Sequence, residues 1–237
     1  MTETIVIDRR FCGPPDSGNG GYACGAVAAM VGNPAVVTLR QPPSLDTPLR
    51  VERNGDGVQA FDGDELVAEG SAAERVDLEV PTPIAFEEAK TAAEGSWIRS
   101  TPERHAFPTC FVCGPDREPG DGLRVFVGPV SGRPGLRAAP WVPDASIEVD
   151  GMVPPVFVWS VLDCAGGIGA DFSKQDPHVL GRMTADVQRP VAVEERCVVV
   201  GWRIGVDGRK LDAGSVIFDA AGDVIGAARA TWIRLNA

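Results

Sequence analysis

The sequence predicts an α+β protein in which two long antiparallel meanders each curl round one buried helix. Three observations point there. The first is Pro154-Pro155-Val156-Phe157-Val158-Trp159-Ser160-Val161-Leu162-Asp163-Cys164-Ala165-Gly166-Gly167, apolar on nearly every side. It is too long for a typical strand and too short to cross a membrane. The second is Tyr22 to Val31, small and apolar throughout. The third is an internal repeat. Leu39-Arg40-Gln41-Pro42 lies against Val187-Gln188-Arg189-Pro190 at an offset of 148 residues, and the same offset sets Asp46 on Glu194, Leu49 on Cys197 and Val51 on Val199. Further on, Phe61-Asp62-Gly63 lies against Phe218-Asp219-Ala220. Identities are few; the shared order of elements carries the repeat.

The 237 residues accommodate one large domain or two fused ones. The apolar fraction of 44% is ample for a core. A net charge of −11 argues against nucleic acid and anionic membrane surfaces, though a local basic cluster could still hold a small anion. No window approaches the length of a membrane span. Met1 to Arg10 shows no secretory signal pattern, so a cytoplasmic setting is expected. Six cysteines in such a setting read as reduced thiols.

In chain order, Thr4 to Ile7 reads as a strand. Phe11 to Gly21 is a loop leading into the first buried helix, with Asn19 as a natural N-cap and Gly20 and Gly21 allowing close approach. Gly32-Asn33-Pro34 closes that helix. Strands follow at 35–40, 47–53, 57–61 and 65–72, the last after a turn at Asp62-Gly63-Asp64. Residues 76–108 read as a surface connector containing one amphipathic helix from Ile84 to Gly95. Beyond it, 122–127 and 135–140 read as strands. The central helix then starts at two prolines, which the first turn tolerates, and is expected to stop at Gly166-Gly167. After a polar loop from Asp171 to His178, strands are expected at 181–187, 194–204, 210–218 and 224–235. The expected division is 1–75, 76–108 and 109–237.

A long antiparallel meander wrapped round one apolar helix is the hotdog arrangement. Cys110-Phe111-Val112-Cys113-Gly114-Pro115-Asp116, followed by Gly122-Leu123-Arg124-Val125-Phe126, is similar to the opening of many acyl-CoA thioesterases of that fold. Val161-Leu162-Asp163-Cys164-Ala165 resembles the mid-helix acidic stretch of the same superfamily, and Asn19-Gly20-Gly21 resembles its helix-starting His-Gly-Gly. The chain is therefore read as a tandem, double-hotdog member: two antiparallel sheets joined edge to edge, each round a central helix.

The resemblance implies a site between paired domains. One domain supplies a helix N-terminus, whose backbone N–H groups and dipole polarise a thioester carbonyl. The other supplies a mid-helix carboxylate acting as general base or nucleophile. In one branch the acid follows the His by nine residues. That spacing leads from Asn19 to Ala28, where the acid is missing, and from Pro154 to Asp163, where the glycines are missing. Each half keeps what the other has lost. The expected site is thus Asp163 facing Gly21 and Tyr22, with Asn19 and Gly20 beside the substrate. Arg182 and Arg189 are candidates for coenzyme A phosphates, with a solvated face as the alternative.

The leading reading is a hydrolase for an acyl-CoA or similar thioester. The rivals are a non-catalytic binder of acyl-CoA or a lipid-like ligand, and a hydratase of the related fold, which would need an Asp and His pair. No cofactor is expected, and a homodimer of such chains stays open. Cys110-x-x-Cys113 is half of a zinc pattern, but no second pair stands at ligand spacing, so no metal is expected and the segment reads as a strand opening. Cys164 reads as a packed core thiol. Gly18-x-Gly20-Gly21 lacks the βαβ context of a dinucleotide site.

Overall fold

Eleven antiparallel strands form one continuous sheet in the computed structural model, which describes residues 3–235. Met1, Thr2, Asn236 and Ala237, the outer ends of the expected domains, lie outside the described residues. The first part of the chain contributes β1 (Glu3–Ile5), α1 (Gly20–Ala28), β2 (Ala35–Leu39), β3 (Leu49–Asn54), β4 (Gly57–Asp62) and β5 (Glu65–Ala72). Then come α2 (Phe86–Glu94) and the single turn α3 (Trp97–Ser100). The rest contributes β6 (Gly128–Pro129), β7 (Leu136–Trp141), β8 (Met152–Val153), α4 (Pro155–Gly169), β9 (His178–Val187), β10 (Val191–Ala192), β11 (Cys197–Asp207), β12 (Lys210–Phe218) and β13 (Val224–Arg234). The order across the large sheet is β1-β3-β4-β5-β2-β9-β13-β12-β11-β7-β6, and β8 and β10 pair separately.

The strands of the two chain halves meet at one seam, β2 against β9. There Ala35 pairs with Ala185, Val36 with Thr184 and Val37 with Met183. Thr184 lies 148 residues after Val36, the offset of the sequence repeat. The flanking pairs exchange under the same offset. The strands of the two halves are thus joined edge to edge into one continuous sheet, because β2 and β9 each satisfy the other's open ladder, while β1 and β6 remain its outer edges.

Helices α1 and α4 lie side by side, α1 packed on β2 and β5, α4 on β11, β12 and β13. Val27, Val158, Val161, Leu162 and Ile168 are at most 2% exposed. Burying such a side chain contributes about 1.5–3 kcal/mol. The helix around Asp163 is apolar all round because the structure covers it all round.

Three local expectations need correction. Helix α4 runs through Gly166 and Gly167 to Gly169. Gly167 serves packing instead, since a Cβ there would sit 2.2 Å from Phe172 Cε1. Further close approaches follow: a Cβ on Gly201 would sit 1.9 Å from the Ala165 carbonyl oxygen, and one on Gly169 2.4 Å from the Gly201 carbonyl carbon. Residues 122–127 form no strand. Arg124 has φ of 53°, which breaks an extended run, and Leu123 and Val125 instead donate to the carbonyls of Phe111 and Val112 at 2.8 and 2.9 Å. Cys110 to Cys113 correspondingly is a turn, not a strand opening.

The connector does more than join. Ile84, Ala89 and Ala92 form a second core with Val130, Ala138, Val198, Val200, Val216 and Phe218 on the outer sheet face, and Phe107 reaches the cavity described below. Among the described residues no helix is long and apolar enough to cross a membrane.

Candidate active site

The site begins at the N-terminus of α1. Asn19 caps the helix: its Oδ1 accepts the Tyr22 N–H at 2.9 Å, while its own N–H is held by the Phe11 carbonyl at 2.8 Å. The next residue with an engaged N–H is Gly21, which donates to Asp163 Oδ2 at 2.8 Å. The contact requires two glycines. A Cβ on Gly21 would lie 2.5 Å from Asp163 Cβ and 2.6 Å from the Trp159 carbonyl oxygen, and one on Gly25 would lie 2.9 Å from Val156 Cα. Bare backbone on α1 therefore lets the middle of α4 close on its N-terminus.

Asp163 is 1% exposed. Its Oδ1 has no hydrogen-bond partner among the described residues. Burial pushes its carboxyl well above the ordinary range; the Gly21 N–H opposes this and the nearby Cys110 adds to it. A raised carboxyl pKa makes a stronger base nearer neutral pH.

Asp163 and the start of α1 at Asn19 and Gly20 border a cavity of about 520 Å³. Asn19, Gly20, Asp163 and Cys164 form its polar end, and Leu39, Phe107, Phe172, Leu180, Trp232 and Ile233 form apolar wall. The loops Gly13–Gly18 and Arg40–Pro43 complete it. The dimensions suit a small ligand with an apolar part.

The expected residues divide. Asn19, Gly20 and Asp163 come together on the cavity, and Gly21 touches Asp163. Tyr22 is a correction. Its N–H is held by the Asn19 cap, and its ring stacks on Phe11 with centroids 4.5 Å apart and meets Phe157 edge-on. The Gly21 N–H is likewise engaged. The backbone donor left at the start of α1 is Gly20 N–H, on the cavity wall, for which no acceptor exists among the described residues. The helix starts at Gly20, so the cap takes the third N–H and leaves the first.

Arg182 and Arg189 do not line the cavity. Leu180 and Arg182 would share a face in a regular strand. But Thr231 pairs with Arg182 and Trp232 with Leu180, leaving Gly181 as an extra residue. This bulge turns Arg182 outward, where its Nη1 lies 3.4 Å from Thr38 Oγ1. Arg189 is held by Glu195 at 2.5 Å and Asp219 at 3.0 Å. Hydrogen bonding to Arg189 holds Glu195 below the usual carboxylate range. Asp219 also sits low: burial raises it, but the Asp223 and Ala221 N–H groups and Arg189 outweigh that. Both carboxylates therefore contribute stability above their unfolded pKa values, lost as pH falls through the folded ones. In Arg189→Ala the unfolding midpoint in urea should drop less steeply on acidification than in the parent. The stability change at neutral pH should stay within about 1 kcal/mol, and cavity chemistry should be unchanged.

Sequence reasoning missed Arg40, Gln41, His178, Cys110 and Cys113, all on the cavity. The repeat marked the Arg40–Gln41 loop but drew attention to its counterpart at Arg189. Arg40 is itself paired with Glu69. Cys164 is no isolated core thiol. The sulfurs of Cys110, Cys113 and Cys164 all lie within 4.8 Å of one another. Hydrogen bonds from Cys113 and Cys164 push the Cys110 thiol well below its usual range, and the same contacts with burial push Cys164 up.

No family model and no curated protein matches the chain. Solved structures do. A putative thioesterase II from Thermobifida fusca aligns with TM-score 0.60 at 14% identity, over 99% of this chain and 96% of that one. An acyl-CoA thioesterase II, TesB2, from Mycobacterium marinum aligns with TM-score 0.58 at 13% identity, over 98% and 91%. A tesB protein from Mycobacterium avium subspecies paratuberculosis aligns with TM-score 0.58 at 11% identity, over 94% and 89%. The shared feature at this identity is the fold.

Proposed function

We propose that the chain is a double hotdog, with domains 1–75 and 109–237 joined by a connector at 76–108, and that it hydrolyses an acyl-CoA or similar thioester. One observation carries the reading: the Asp163 carboxylate, from the middle of α4, meets the N-terminus of α1 on the wall of a mostly apolar cavity. The symmetric seam supports a pseudo-two-fold arrangement, and in its second potential site Ala28 takes the place of the acid. One composite site follows. Fold relatives named as thioesterases agree with this chemistry.

In the proposed reaction the acyl chain lies along Leu180, Phe172 and Trp232. The thioester oxygen faces Gly20 N–H and the positive end of α1. Asp163 takes a proton from water as the water oxygen bonds to the carbonyl carbon. Collapse of the tetrahedral species breaks the C–S bond, and the thiolate leaves with that proton. Asp163 attacking as nucleophile remains the alternative for the first step.

A binding-only reading has one observation in its favour: Gly21 and Tyr22 N–H groups are already engaged, leaving a single backbone donor at the start of α1. A panel of acyl-CoA esters of varied chain length, followed by free-thiol detection, separates the two. Thiol release with at least one ester is expected. Saturable binding by calorimetry with no thiol release from any ester would leave the binder. Water addition to an enoyl-CoA in the same panel would point to Asp163 with His178 and a hydratase.

A further inference from the structure

We propose that Cys110, Cys113 and Cys164 form a three-thiolate site for zinc(II) in the wall of the cavity, with the fourth coordination position on the cavity side. The chain order hides this site. Cys110 and Cys113 stand at the spacing of a zinc half-site, and the third ligand comes from α4, where no cysteine spacing announces it. The fold brings the three together.

The geometry fits. Zinc–sulfur bonds of about 2.3 Å in a tetrahedral site set the sulfurs about 3.8 Å apart. Cys110 and Cys164 sulfurs are 3.7 Å apart, and all three lie within 4.8 Å of one another. The turn that aims Cys110 and Cys113 inward closes with Gly114 N–H on the Cys110 carbonyl at 2.9 Å. A Cβ on Gly114 would approach that oxygen to 2.4 Å, so glycine permits the turn.

The surroundings suit sulfur as an acceptor. Asn19 Nδ2 donates toward Cys164 Sγ at 3.4 Å and Cys110 Sγ at 3.8 Å. Such outer donors orient ligating groups. The Asn19 amide thus joins the thiol cluster to the cap of α1. Beside the cluster, the buried Asp163 Oδ1 lacks a partner.

The ligand set narrows the ion. Three thiolates select thiophilic ions over magnesium or calcium. An iron–sulfur cluster spreads its cysteine sulfurs over two or more irons, whereas three sulfurs within 4.8 Å of one another suit a single shared ion. Three protein ligands with a free fourth position is the ligand count of an open zinc site. Zinc here would cancel two of the three negative charges and fasten the Cys110–Cys113 turn to α4. The proposal rests on the cysteine geometry and stands whether or not the chain hydrolyses thioesters.

The test uses untagged protein purified under reducing conditions. Elemental analysis should find about one zinc per chain, and removing it with a chelator should lower the melting temperature. Cobalt(II) added to the metal-free protein should give an intense sulfur-to-cobalt charge-transfer band. The band should shrink in Cys113→Ser and Cys164→Ser and persist in Cys197→Ala. Zinc far below stoichiometric in the parent, with no charge-transfer band on adding cobalt, would overturn the proposal. So would full zinc retention in Cys164→Ser. If the serine variants do not fold, the cobalt spectrum of the parent decides alone, because the band requires thiolate ligation.

Discussion

Asp163→Asn should lower kcat for thioester hydrolysis at least ~100-fold, the usual size of a general-base contribution. The substitution keeps shape and size. Its amide oxygen can still accept the Gly21 N–H that Asp163 now holds at 2.8 Å. What it removes is the ability to take a proton. Stability should change little, by no more than about 1–2 kcal/mol, since one hydrogen bond is kept and a desolvated ionisable group is removed. Steady-state kinetics on the best ester of the panel, beside urea unfolding of both proteins, checks the two halves of the prediction. A variant that retains its rate takes Asp163 out of the mechanism. A variant that loses both rate and fold would give Asp163 a structural part instead.

Gly201→Ala should destabilise the protein by about 2–3 kcal/mol, toward the upper part of the range for overpacking a close-packed core. The added methyl would sit 1.9 Å from the Ala165 carbonyl oxygen and 2.5 Å from the Ala165 carbonyl carbon. These are backbone atoms of α4, which cannot swing aside as a side-chain tip can. Relief would require α4 to lift from β11, and α4 carries Asp163 and Cys164. Gly205→Ala, four residues along the same strand, is the control. A Cβ there meets nothing within 4 Å, so the smaller entropy of the unfolded chain should leave it neutral or stabilise it by about 0.4–1 kcal/mol. Urea denaturation of the pair measures the contrast. Equal midpoints would mean that the close approach of β11 to α4 is not rigid.

Much of the fold was readable because its signals are local. Residues 210–218 stand between the turn pairs Asp207-Gly208 and Ala221-Gly222, and the strand there has the expected limits. Asn19 before two glycines announced a capped helix start, and the cap is made. The glycine pair 166–167 misled, since a glycine looks the same in sequence whether it ends a helix or admits a neighbour. Residues 122–127 misled in the opposite direction: their composition suits a strand, but a left-handed residue at Arg124 breaks the run.

For the site, the sequence by itself marked two of its parts. It singled out one carboxylate in an apolar helix and one glycine-started helix that lacked an acid, and their complementary losses placed them opposite each other. Three further matters were decided by tertiary structure. Which N–H groups stay free depends on where helix α1 begins and which donor Asn19 takes. Whether Arg182 faces the cavity depends on a one-residue bulge at Gly181. Whether two cysteines become three depends on α4 packing against a loop more than fifty residues earlier in the chain. Each of these is a relation between surfaces distant in sequence, set by the packing of α1, α4 and the sheet, and residue types and spacing along one strand or helix carry no record of it.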